Sequence, residues 1–200
     1  MAGRFELSVG MVWFGSAAIG SRDATLTTSN GGAFRLFSTS SELEAATGVH
    51  VRLGGRVMGA VEAEASASYA SPLLTTRIAN DAENAAPAAV SESVRQFTIE
   101  GGALVNLARW RSRSRLLPFV TAGGGYLRQL HEGGTLAQTG SVAYIGGGAR
   151  IPLVSRGAGR RLTQIGIRTD LRALVRSGGV TLDGKAHVSP ALAASLFARF

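Results

Sequence analysis

Two hundred residues, 45% of them hydrophobic and 27 of them glycine, with no cysteine and a formal charge of +8, supply enough chain for one domain. The absence of cysteine excludes disulfide frameworks and thiolate metal sites, and the abundance of glycine beside short apolar alternations argues for an all-β protein. The longest uncharged stretch, 133–149, contains Gln138, Ser141, two threonines and several glycines, which excludes a transmembrane helix, so any membrane span here is built of strands.

No basic-then-apolar leader stands before Arg4, and the chain reads as a mature form without its export signal. Eight alternating segments follow, each about the length at which a tilted strand crosses a hydrocarbon layer. They are 4–15, 41–53, 57–70, 95–107, 116–129, 140–153, 162–175 and 187–200. The connections 16–40 and 71–94 are long, 130–139 and 176–186 are medium, and Gly54-Gly55-Arg56, 108–115 and 154–161 are short. An even strand number, termini on one side and longer loops on the other predict an eight-stranded antiparallel up-and-down transmembrane β-barrel, a single domain over 1–200.

Successive side chains of a strand point to opposite faces, so parity is the test of this plan. In the first strand Phe5, Leu7, Val9, Met11 and Trp13 oppose Glu6, Ser8 and Gly10. In the second Leu43, Ala45, Thr47, Val49, Val51 and Leu53 oppose Glu44, Gly48, His50 and Arg52. The third sets Val61, Ala63, Ala65, Ala67 and Tyr69 against Glu62, Glu64, Ser66 and Ser68, and the fourth Phe97, Ile99, Ala103 and Val105 against Gln96, Thr98, Glu100 and Asn106. Glycine triplets at 123–125 and 146–148 blur the fifth and sixth strands. Placing Arg128 and Arg150 inward turns Phe119, Leu127, Ala143, Ile145, Ala149 and Ile151 outward, and Tyr126 and Tyr144 inward beside glycines that leave room for their rings. The seventh strand sorts Ile165, Ile167, Thr169, Leu171 and Ala173 from Gln164, Arg168, Asp170 and Arg172. The eighth carries Val188, Pro190, Leu192, Ala194, Leu196, Ala198 and Phe200 on one face. An arginine facing lipid at mid-bilayer costs about 2–4 kcal/mol, which is the reason for such sorting.

The expected lumen therefore holds Glu6, Glu44, Glu62, Glu64, Glu100 and Asp170 against Arg52, Arg128, Arg150, Arg168 and Arg172, with His50 beside them. In so narrow a barrel these charges must pair. Outward aromatics form two expected interface belts, Trp13, Tyr69 and Phe97 on the loop side and Phe5, Phe119 and Phe200 on the short-turn side. Trp110, within the basic run 109–115, is a further interface anchor. That run and Arg156, Arg160 and Arg161 fall in short turns, where they meet anionic lipid heads rather than nucleic acid.

The ending Leu196-Phe197-Ala198-Arg199-Phe200 is similar to the last strand of bacterial outer-membrane barrels, whose terminal aromatic is read by the insertion machinery. Pro118-Phe119-Val120-Thr121-Ala122-Gly123-Gly124-Gly125-Tyr126 is similar to a proline-aromatic-glycine strand of the same proteins. With the strand plan, these make the chain resemble the small eight-stranded barrels of the OmpA-like and OmpX-like families. The resemblance implies a bacterial outer-membrane location, and contact of Leu196, Ala198 and Phe200 with the insertion machinery. It carries no catalytic residue, cofactor or metal.

Other motifs yield less. His187-Val188-Ser189 resembles the His-x-Ser element of outer-membrane lipid A deacylases, but parity points both residues away from lipid and Pro190 follows the serine. The stretch Gly179 to Ala186 is close to a P-loop but has Ala186 in place of the magnesium-binding hydroxyl residue. His50, His131 and His187 lack metal-ligand spacing. The reading is a structural or surface-interaction protein with an ion-paired lumen, outer-membrane lipids around it, and loops 16–40 and 71–94 as the place for an extracellular ligand. The alternatives are a narrow channel for ions or small solutes and, behind it, a lipid-modifying enzyme.

Overall fold

A computed structural model describes residues 4–83, 85–107, 116–132, 134, 136–155, 162–181 and 184–200. Among them the strands are β1 (Phe5–Phe14), β2 (Ala17–Thr27), β3 (Ala33–Leu43), β4 (Ala46–Met58), β5 (Val61–Ala70), β6 (Leu73–Ala79), β7 (Ala88–Ser93), β8 (Arg95–Asn106), β9 (Leu117–Leu130), β10 (Ala137–Ser155), β11 (Gln164–Gly178) and β12 (His187–Arg199). Eight of them close into an antiparallel barrel in the order β1-β12-β11-β10-β9-β8-β5-β4. Closure pairs the backbone of every strand on both sides, as a hydrocarbon solvent requires.

The four others form a second sheet, β2-β3-β6-β7. This order repeats that of their chain neighbours in the barrel, β1-β4-β5-β8. The ladder also carries across the breaks, since Glu44 N–H donates to Leu73 O at 2.8 Å and Val94 N–H to Pro72 O at 2.9 Å. The second sheet is thus the upward continuation of half the barrel wall, beyond the rim farthest from the termini. The segments 16–40 and 71–94, expected as loops, are strands for this reason. Their Ser- and Thr-rich sequences show no apolar alternation, but each starts in register from a strand already paired. The β2–β3 turn closes at Asn30-Gly31-Gly32, with Gly31 at φ 78° and Thr28 N–H bonded to Gly32 O at 2.8 Å.

Two boundaries also move. Residues 41–43 belong to β3 rather than to the second barrel strand, and β4 runs on to Met58, so the short turn is Gly59-Ala60 and not Gly54-Gly55-Arg56. Gly59 takes φ 54°, which suits a turn. Gly54 stays extended and leaves space for carboxylates: a Cβ there would lie 3.6 Å from Glu6 Cβ and 3.8 Å from Glu64 Oε1.

The ladder does not close on itself at one level. Followed from Arg4 through Arg56, Glu62, Leu104, Thr121, Gly146, Arg172 and Ala191, it returns to β1 at Phe14. A register row therefore climbs as it circles, the mark of tilted strands. Corrected for this climb, Trp13, Tyr69, Phe97 and Tyr126 lie at nearly one height, with Tyr69 and Phe97 ring centroids 4.8 Å apart. Phe5 and Phe200 are exposed at the termini end. Between these levels the described outward side chains, including Leu7, Val9, Met11, Val51, Ile99, Ile145, Ile167, Leu171 and Leu196, are apolar apart from Thr169, and none of them is charged. Polar inside and apolar outside is the inverse of a soluble barrel.

Inward rings sit over inward glycines. A Cβ on Gly166 would lie 2.7 Å from Phe197 Cε1, one on Gly148 would lie 2.7 Å from Phe119 Cζ, and Gly123 makes room for the Tyr144 hydroxyl. Gly166→Val is expected to destabilise the barrel by about 1–3 kcal/mol through overpacking. Gly101→Val, facing open space outside, is expected to leave stability unchanged. The temperature at which the folded band is lost on gels of detergent-refolded protein separates the two.

Candidate functional site

Inward parity stacks charged residues in layers along the barrel axis. At the termini end, Arg150 donates from Nη2 to Glu62 Oε2 at 2.8 Å, from Nη1 to Asn106 Oδ1 at 2.9 Å and from Nε to Glu6 Oε1 at 3.2 Å. Arg199 donates from Nε to Glu6 Oε2 at 2.8 Å and from Nη2 to Glu62 Oε1 at 2.9 Å. In the next layer Arg168 binds Glu64 through Nη1 and, at 3.1 Å, through Nη2, and it holds Asp170 through Nε at 3.1 Å and Nη2 at 3.0 Å. Arg52 Nη1 reaches Asp170 Oδ2 at 3.0 Å. Above them Arg172 Nη1 donates to Glu100 Oε2 at 3.0 Å, a carboxylate that also accepts from Ser66 Oγ.

The lattice balances in charge: Glu6, Glu62, Glu64, Glu100 and Asp170 face Arg52, Arg150, Arg168, Arg172 and Arg199. Arg150 and Arg168 have no solvent exposure at all. Pairs this deep repay their desolvation only when nearly every donor and acceptor is used, and bidentate guanidinium geometry allows that. Aromatic faces complete the packing, with Arg168 4.5 Å and Arg150 5.1 Å from the Phe119 ring centre and Arg172 4.4 Å from that of Tyr144.

Most of the expected lumen residues meet in this lattice, and the placements of Phe119, Leu127, Tyr126, Arg128 and Glu44 are corrected. Phe119, expected outward in an interface belt, is 2% exposed and lies inside as the platform for two arginines. Arg128, expected inside, is exposed on the outer wall, since β9 carries Leu127 and Gln129 inward. Tyr126 turns outward with it. Glu44, expected in the lumen, sits in the break between β3 and β4, exposed, and accepts from Thr75 Oγ1 at 2.6 Å. Trp110 and the two basic turns, 109–115 and 156–161, lie outside the described residues. Arg199, Arg176 and Asn106 were not singled out for the lumen, although their inward parity marks them.

His50 lines a cavity of about 20 Å³ with Arg52, Ser66, Ser68, Glu100 and Arg172, the room of roughly one water molecule. His50 Nε2, Arg52 Nε and Arg172 Nε have no hydrogen-bond partner among the described residues. Higher up, Val12, Phe14, Ala70, Val142, Leu174 and Ala191 form an apolar layer. Gln129 donates to Gln96 at 3.1 Å and accepts from Val180 N–H at 2.9 Å, drawing the β11–β12 connection over the mouth. Val180 there packs on Ile19, Leu43, Leu74 and Val94 from the inner face of the second sheet. From the other half of the rim, His131 Nδ1 meets Glu92 Oε1 of β7 at 2.5 Å. A cavity of about 260 Å³ lined by Arg56, Asn106, Pro118 and Arg199 opens at the termini end, and from the Arg199 and Arg150 layer up to this cap side chains occupy the interior. Ser189, the serine of the His-x-Ser element, is buried on the inner wall.

A closed eight-strand ladder, an apolar exterior between two aromatic levels and a charged interior define a membrane-spanning β-barrel. Its fold is that of the small bacterial outer-membrane barrels. The structure is similar to neisserial surface protein A (NspA), with a TM-score of 0.58 and 12% identity over 100% of this chain and 99% of that one. It is also similar to the outer membrane protein OprG from Pseudomonas aeruginosa, with a TM-score of 0.54 and 9% identity over 99% and 95% of the two chains. No protein-family model and no curated protein sequence matches this chain.

Removing Arg168 takes from buried Glu64 its bidentate partner and leaves Asp170 to Arg52 and Arg172 alone. Arg168→Met is expected to lower unfolding free energy by about 3–5 kcal/mol, with part recovered by adding Glu64→Gln. Arg35→Met, in the exposed pair with Asp23 at 3.8 Å, is expected to change it by about 0–1 kcal/mol. Urea unfolding in detergent, followed by tryptophan fluorescence, measures both.

Proposed function

We propose that this protein is a non-enzymatic outer-membrane barrel without an open pore, which holds the β2-β3-β6-β7 wall outside the cell as a surface for interaction. The observation that carries this reading is the filling of the lumen. Buried ion pairs occupy the half near the termini, an apolar layer follows, and Val180 and its apolar neighbours cap the mouth. A solute path along the axis would have to displace at least two bidentate arginines. What remains accessible at the far end is the second sheet, a surface of serines, threonines and mixed charges standing on a rigid scaffold. NspA, whose fold this chain shares, is by its name a surface protein.

The reading includes its delivery. Leu196, Ala198 and Phe200 face outward along β12, as a recognition element for the insertion machinery requires, and export through a leader would precede it.

Planar-bilayer recordings test the absence of a pore: the refolded protein is expected to give no discrete conductance steps. Steps that vanish in Glu62→Ala would instead favour a narrow ion channel. Removing 20–40 by a short Gly-Ser linker is expected to leave the barrel folded and membrane-inserted while abolishing whatever cell-surface binding the intact chain supports.

A further inference from the structure

We propose that Arg95 of β8 and Arg128 of β9 form a site for the phosphate of a lipid headgroup on the outer wall of the barrel, at the rim farthest from the termini. The proposal rests on the barrel spanning a membrane. Register pairs Phe97 with Arg128 and Arg95 with Leu130, so the two arginines are diagonal neighbours on the same outward face. Such neighbours are about 7–8 Å apart at the backbone, within joint reach of one phosphate for side chains this long. Both are exposed, and among the described residues neither makes a side-chain ion pair or hydrogen bond. Among the described residues of the barrel strands, every charge deeper in the barrel turns inward; these two turn toward lipid.

Height explains how they can. After the climb of the register row is removed, both lie about two residues, or roughly 5 Å along the membrane normal, above the belt of Trp13, Tyr69, Phe97 and Tyr126. The cost of a lipid-facing arginine falls from a few kcal/mol at mid-bilayer toward zero at this depth. Two adjacent guanidinium groups without a carboxylate repel each other until an anion sits between them. At that level the anions a membrane supplies are phosphate groups, which guanidinium binds in bidentate fashion. The tilted Tyr69 and Phe97 rings, 4.8 Å apart, form an apolar shelf just below for the first carbons of the acyl chains.

The test uses full-length protein refolded into phosphatidylcholine vesicles with or without phosphatidic acid, and native mass spectrometry of the lipids retained. Phosphatidic acid and bis-phosphorylated lipid A are expected to be retained over phosphatidylcholine. Arg95→Gln/Arg128→Gln is expected to weaken this retention about tenfold or more, and Arg95→Lys/Arg128→Lys to keep part of it. Arg77→Gln, on the second sheet, is expected to bind as the unaltered chain does. Full retention by the double Gln variant overturns the proposal, as does displacement of the lipid by excess inorganic phosphate, which would make the site one for free anion. An unaltered chain that folds into neither vesicle overturns the membrane reading and this site with it.

Discussion

The structure depends on one constraint: a backbone in hydrocarbon must find all its hydrogen-bond partners within itself. Closing eight strands into a ladder meets it, and closure then assigns every side chain to lipid or to lumen by parity alone. The rest follows from that assignment. Leu7, Val9 and Met11 can be exposed without penalty because their solvent is apolar, and Glu6, between strands of such residues, has nowhere to go but inward. The charged lattice is thus a consequence of closure as much as a support for it. Burying five acids is tolerable only because five arginines arrive from β4, β10, β11 and β12 at matching heights.

Such a lattice is better at selecting one register than at adding stability. A hydrophobic filling of equal volume would hold the barrel at least as well. A slip of one residue in β10 or β11, however, would send Arg150 or Arg168 into lipid and leave several carboxylates unpaired. The aromatic platforms sharpen this choice, because Phe119 serves two guanidinium groups at once and fits only opposite Gly148.

Most of the barrel was legible because alternation and charge agree in β1, β4, β5, β8, β11 and β12. The lumen partners in those strands were readable for the same reason, with Arg199 hidden only by its place inside the terminal motif. β9 was misread where its glycine triplet interrupts the alternation and one cation had to decide. Charge is excluded from the outer face only between the aromatic levels, and Arg128 lies above them, so it carried no information about parity. The second sheet was illegible for a different reason. Its strands face water on both sides over most of their length, so nothing in their composition records a periodicity, and only pairing inherited from the barrel makes them strands.

That inheritance restricts how the displayed wall can vary. Because β2, β3, β6 and β7 grow out of β1, β4, β5 and β8 without a hinge, one residue added at a junction would rotate the whole protruding strand by half a turn. Ile19, Leu43 or Leu74 would then leave the cap. Only insertions of even length, matched on the paired strand, keep the lid sealed, so such a palisade can grow taller or shorter in dipeptide increments while its odd-length relatives would be leaky or unfolded.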